Sequence, residues 1–158
     1  MGSKALARLD RDVLVQPGVR TFMLLLGIND TAWPGTPFDP HAPAASFDAM
    51  IAGYKAVVAR AHAGRVRVIG ATLTPFADAL PGTPLGFHLL QHRQDALRNR
   101  INDWIRTSGA FDAVVDYYRI LAEPDAPDHL AVAYDSCDHL HPRDAGNKAM
   151  ADAVDSTL

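Results

Sequence analysis

Cysteine is nearly absent from this sequence: Cys137 stands alone, which excludes an internal disulfide and any zinc site built on paired cysteines. Long apolar runs are missing as well. The most continuous one, residues 19–26, is too short to cross a bilayer, so no membrane span is expected. No secretory signal is in view, and the cellular location stays open. Positive charge is not in excess. Lys and Arg number 15 against 18 Asp and Glu, a net charge of −3, which argues against a general nucleic-acid surface. Neither an internal repeat nor a low-complexity tract is present.

What is present suffices for one domain. With 158 residues, 48% of them hydrophobic, the chain is expected to fold as a single unit over residues 1–158 around a substantial core. Residues 4–15 place Leu6, Leu9 and Val13 on one face of an amphipathic helix that Pro17 and Gly18 end. The run 19–26 reads as a buried strand and stops at Gly27, Ile28, Asn29 and Asp30. Residues 31–43, with Pro34, Gly35, Pro37, Pro40 and Pro43, read as a loop. Ser46 is a candidate cap for a helix with Phe47, Met50, Ile51, Tyr54, Val57, Val58 and Ala61 inward and Gly64 as its stop. A second strand over 65–73 is closed by Thr74, Pro75 and Phe76, and a Pro/Gly loop covers 77–87. A helix from about Leu89 to Thr107 follows, burying Leu90, Leu97, Ile101, Trp104 and Ile105, and then a third strand over 111–117. Residues 123–128 read as loop. Pro142 suits the first turn of a last helix whose Ala145, Ala149, Met150, Ala153 and Val154 share a face. Strands alternating with helices imply right-handed crossovers and a parallel sheet covered on both sides.

Two local patterns carry chemistry. Asp138 and His141 lie three residues apart just ahead of the last helix, so the carboxylate can fix one tautomer of the imidazole and leave its other nitrogen to take a proton from a hydroxyl. The plainer alternative is a surface histidine satisfied by a nearby acid. Asn29 falls at the carboxyl end of the first strand, where open α/β sheets bind ligands. Its amide can donate to a developing oxyanion, or fold back as an Asx-turn. Trp33 and Phe38 either line a cleft or anchor their loop. His88 and His92 have the spacing to face one metal but no third ligand close in sequence, and Asp135, Asp138, His139 and His141 form a second candidate cluster. Cys137, beside Asp138, is either a reactive thiol or a small buried side chain.

Residues 27–30 resemble the Gly-x-Asn-Asp block of the SGNH (GDSL-type) esterase/lipase hydrolases, and residues 138–142 resemble that family's Asp-x-x-His block. Stretches 5–13, 70–76 and 101–112 are similar to one bacterial branch, so the resemblance runs from about residue 5 to the C terminus. It implies a three-layer α/β/α, flavodoxin-like fold and hydrolysis of carboxylic esters by a Ser-His-Asp mechanism without a cofactor. It also implies Asp138 and His141 as acid and base, Asn29 as an oxyanion donor, and Gly27, Asp30 and Trp33 as substrate-binding residues. The family's Gly-Asp-Ser nucleophile block and its second, glycine-bearing block have no counterpart, and Ser3, Ser46, Ser108, Ser136 and Ser156 match no nucleophile motif. The expectation is therefore an N-terminally truncated fold whose first strand keeps one open side. Such a chain is completed by its own copies, as a homo-oligomer, or by a partner supplying the absent strands. A catalytically silent remnant or binding module, and a metal-assisted hydrolase, are the alternative readings.

Overall fold

The computed structural model describes residues 5–36, 40–41, 43, 45–86 and 94–155. Three parallel strands form its centre: β1 (Thr21–Leu24), β2 (Arg67–Ala71) and β3 (Ala113–Val115), in the order β1-β2-β3. Thr21 sits opposite Arg67, and Ala71 opposite Val115. Because side chains alternate along a strand, Phe22, Leu24, Val68 and Val114 point to one face while Met23, Ile69, Ala71, Ala113 and Val115 point to the other. Parallel strands need cover on both faces, and each face has it. The first carries α1 (Ala5–Leu9) with its continuing π-helical turn, α3 (Phe47–Ala63) and α4 (Gln94–Thr107), while α2 (Ile28–Ala32) follows β1 and packs on α4. The second face carries α5 (Tyr117–Leu121) and α6 (Asp144–Asp155). A short antiparallel hairpin, β4 (Ala122–Glu123) with β5 (Ala126–Leu130), lies between these two helices in the chain. This is the three-layer α/β/α, flavodoxin-like arrangement.

Local chemistry explains the elements. The Ser46 hydroxyl accepts from the Ala49 N–H and caps α3, whose Ile51, Tyr54, Val57, Val58 and Ala61 are buried. Tyr54 stacks on Trp104 and Trp104 meets Phe111 edge-on, tying α3, α4 and the approach to β3 into one aromatic cluster. Gly70 is obligatory beneath it, since a Cβ there would stand 2.6 Å from the Phe111 ring. The fully buried Asn102 mimics a strand neighbour: its amide accepts from Leu73 N–H and donates to Leu73 C=O, fixing the chain as it leaves β2.

Several expectations change. Leu6, expected inward, is exposed, while Leu9 is buried and Val13, on the π-helical turn Asp10–Leu14, packs against the same core cluster. The first strand ends at Leu24, leaving Leu25 and Leu26 exposed, and Thr31 and Ala32 are helical rather than loop. Gly64 ends α3, but Arg65 is the residue with positive φ (60°). Residues 117–121 form a helix capped by Asp116, and 122–130 a hairpin where a loop was expected. Pro142 precedes the last helix and bridges to Asp135, and Ala145 is exposed while Gly146 packs on Pro142 and Tyr134. Leu89, Leu90 and the start of the expected 89–107 helix lie outside the described residues.

Candidate active site

The carboxyl ends of β1 and β2 face the same way, so the segments leaving them, 25–36 and 72–80, share one rim of the sheet. The turn after β1 is held from below. Tyr54 donates its hydroxyl to Leu26 C=O at 2.6 Å, and burial pushes that phenol far above its ordinary range. Gly27 takes φ 123°, and a Cβ there would lie 2.6 Å from the Tyr54 hydroxyl and 2.8 Å from Met50 Cε. Only glycine meets both demands. Asn29 and Asp30 stand exposed on the first turn of α2. Among the described residues no hydrogen bond engages the Asn29 amide, so the Asx-turn is not formed and the amide is available to a ligand. Trp33 closes α2, half-buried, and its carbonyl accepts from Thr36 N–H and Oγ1. Phe38 lies outside the described residues.

The acid–imidazole pair lies on the loop 134–142. Asp138 gathers four donors: Ser136 Oγ at 3.0 Å, Leu140 N at 2.9 Å, His141 N at 2.8 Å and the His141 ring Nδ1 at 2.6 Å. Burial works against its ionisation, but these hydrogen bonds together outweigh it, led by the His141 ring, and hold the carboxyl far below the usual carboxylate range. An ionised carboxylate can only accept, so Nδ1 is the donor and Nε2 of the neutral ring is left as the acceptor. Asp135 does the same for His139, accepting from His139 N and Cys137 N and contacting His139 Nδ1. Cys137 and His139 take positive φ (75° and 58°), so this loop is held by its hydrogen bonds against backbone preference. Leu80 N donates to Asp138 C=O at 2.7 Å and joins the loop to the segment leaving β2.

The two carboxylates thus pair singly with the two imidazoles, and among the described residues no group of three or more such side chains is placed to hold a metal. His88 and His92 lie outside the described residues. Cys137, for which burial was one expectation, is exposed. Ser46 caps a helix, Ser108 accepts from Ala110 N and Ser136 donates to Asp138; none of these hydroxyls bonds the His141 ring, and Ser3 and Ser156 lie outside the described residues. The contacts that Tyr54, Leu80 and Ser136 make here escaped sequence reasoning. Only Ser136, two residues before an acid, carried a local signal.

The chain is thus a layered α/β scaffold with an aspartate–histidine pair in the loop before its last helix and an exposed asparagine on the turn after its first strand. A model of the GDSL-like lipase/acylhydrolase family matches residues 2–149, and the chain belongs to that family. Solved structures agree on the fold. A GDSL-like lipase from Bacteroides thetaiotaomicron shares 21% identity at a TM-score of 0.69, with 96% of this chain and 67% of that one covered. An acetyl xylan esterase shares 21% at 0.67, covering 96% and 73%, and a catalytic mutant of an acetylxylan esterase from Geobacillus stearothermophilus shares 20% at 0.54, covering 95% and 64%. The chain spans about two thirds of the length of these structures. No curated protein matches it. Among the described residues no helix is long and apolar enough to cross a membrane.

Proposed function

We propose that this chain carries the acid, the base and one oxyanion donor of a carboxylic-ester hydrolase, and that its serine nucleophile comes from a polypeptide segment other than residues 1–158. The observation that carries the reading is the Asp138–His141 contact through Nδ1, with an ionised carboxylate and Nε2 left over. In that geometry Nε2 takes the serine proton as the hydroxyl attacks the ester carbonyl, and Asp138 stabilises the imidazolium. The Asn29 amide meets the tetrahedral oxyanion. His141 returns the proton to the departing alcohol, and water repeats the cycle to release the acid. Gly27 fixes the approach to Asn29 by its backbone, while Asp30 and Trp33 border the place a substrate occupies. No cofactor enters these steps.

The open side of the sheet supports the second half of the proposal. Among the described residues nothing pairs with the outer edge of β1, and Leu25 and Leu26 just beyond it are 36% and 39% exposed. A strand laid there, from a partner polypeptide or a second copy, would cover both leucines beside the rim that bears Asn29. One observation favours a silent, binding-only chain instead: no described serine hydroxyl meets His141. The relatives named for acetyl xylan make a small acetyl ester the first substrate to try.

The test is p-nitrophenyl acetate and butyrate hydrolysis by the purified chain, alone and mixed with a polypeptide bearing the Gly-Asp-Ser strand, alongside fluorophosphonate labelling. Alone, the chain should be slower than the mixture by several orders of magnitude, since only positional and oxyanion effects remain. Strong labelling within residues 1–158 would sink the external-serine proposal, turnover abolished by chelator would point to a metal, and silence in the mixture would favour the binding-only chain.

A further inference from the structure

Arg98 is the one charged side chain among the described residues that is wholly buried. Its guanidinium carbon lies 4.8 Å from the Phe76 ring centroid and 5.1 Å from that of Tyr118, so the cation sits between two aromatic faces. Nη2 reaches Asp128 Oδ1 at 2.5 Å, and the Tyr118 hydroxyl donates to the same oxygen at 2.8 Å. Nη1 stands 2.8 Å from Asp95 Oδ1, close enough for an ion pair but out of line for a hydrogen bond. Taking a guanidinium out of water is costly, and a well-shaped apolar side chain commonly serves a core at least as well. A buried arginine on the inner face of α4, beside Ile101, Asn102 and Ile105, therefore asks what it holds.

It holds the segment that leaves β2. Asp128, gripped by Arg98, accepts from Ala77 N–H through its main-chain carbonyl at 2.9 Å. From there to Leu80 the chain passes through two non-glycine residues in the left-handed region, Asp78 (φ 57°) and Leu80 (φ 56°). Such a segment keeps its shape because its surroundings impose it. At its far end the Leu80 carbonyl accepts from Thr83 Oγ1 at 2.7 Å, and Gly86 packs so closely that a Cβ would stand 2.2 Å from that oxygen. Leu80 N–H then donates to Asp138 C=O at 2.7 Å. The path from the buried cation to the acid of the Asp138–His141 pair is continuous and made of short contacts.

We infer that Arg98 is a positioning residue for the Asp138–His141 pair: with Asp128 it locks residues 76–80 into the strained shape that places Leu80 N–H under Asp138. The inference rests on the acid–base reading proposed above, and it adds a residue that touches neither the reacting atoms nor the 134–142 loop. Removing the cation lets the segment relax, Asp138 shifts, and the carboxylate no longer dictates which His141 nitrogen carries the proton.

The readout is the tautomer of His141, taken from side-chain 15N shifts of the full chain at about pH 8, where imidazole is mostly neutral. In the wild type the Nδ1–H form dominates. In Arg98→Met the Nε2–H form preferred by free imidazole becomes the majority at His141, while His139, held by Asp135 on the same loop but without the Leu80 N–H contact, keeps its tautomer. Arg98→Lys, which restores the charge without the fork, recovers part of the Nδ1–H population. A lower melting temperature in Arg98→Met with His141 shifts identical to wild type overturns the inference and leaves Arg98 a packing residue. Should that variant not fold, Asp128→Asn, which keeps the shape, decides by the same criterion. A wild-type spectrum dominated by Nε2–H overturns the acid–base reading together with the inference; an Nδ1–H spectrum that no variant alters overturns the inference alone.

Discussion

Of the aspartate–histidine pairs among the described residues, two are instructive to compare: one at the amino end of the sheet and one in the loop before the last helix. At the amino end, His62 Nε2 lies 2.8 Å from Asp112 Oδ2, and that oxygen also accepts from Val68 N–H at 2.7 Å. The Val68 N–H, and after it the His62 ring, hold the Asp112 carboxyl below its ordinary range. In the loop before the last helix, Asp138 engages His141 through Nδ1 instead. Both imidazoles are well exposed, with side chains 46% and 69% accessible, so exposure does not separate them. The nitrogen does. With Nε2 tied down, His62 joins α3 to the start of β2 and β3. With Nδ1 tied down, His141 keeps its distal nitrogen clear of the carboxylate, which is the arrangement the proposed proton transfer uses. An acid beside a histidine becomes machinery for proton transfer through which nitrogen it takes and what stands in front of the other.

Four outcomes sharpen or break that contrast. The largest is in turnover of the chain mixed with a Gly-Asp-Ser segment: Asp138→Asn should cost roughly 10⁴-fold, because the wrong tautomer is no longer excluded, whereas Asp112→Asn should leave kcat within about twofold. Next, Asn29→Ala should lower kcat by roughly 10²- to 10³-fold with little change in KM, the mark of a donor used in the transition state. The amino-end pair answers in stability instead. Asp112→Asn should destabilise by about 1 kcal/mol in urea unfolding through the weakened Val68 contact and the weakened His62 contact. The smallest effect is in acid. A carboxyl whose folded pKa is depressed contributes stability that is fully present above its unfolded value, about 4, and is lost as pH falls through the lower folded one. The difference in urea midpoint between wild type and Asp112→Asn should therefore shrink as pH falls below about 4; a gap that persists undiminished in that range would contradict the assignment.

Elements fixed by neighbours in sequence were readable in advance. Asp138 and His141 are three residues apart, Ser46 caps the turn that follows it, the apolar run of β2 marks a buried strand, and the face of α3 follows from a period of 3.6. What depends on distant partners was not. The Tyr54 hydroxyl reaches Leu26 across 28 positions, Arg98 reaches Asp128 across 30, and Leu80 meets Asp138 through backbone atoms that leave no trace in residue type. The π-helical turn at Asp10–Leu14 and the hairpin at 122–130 arise where tertiary contacts override weak local preference. Cys137 was misplaced for a related reason, since the usual burial of cysteine yields to a loop that Asp135 and Asp138 wind outward.

The most direct measurement compares His141→Ala with His62→Ala in p-nitrophenyl acetate hydrolysis by the chain mixed with the serine-bearing segment. The account predicts that the first abolishes the turnover gained on mixing and the second leaves it intact. Equal loss in both, or a His141→Ala chain that still gains turnover on mixing, would contradict it.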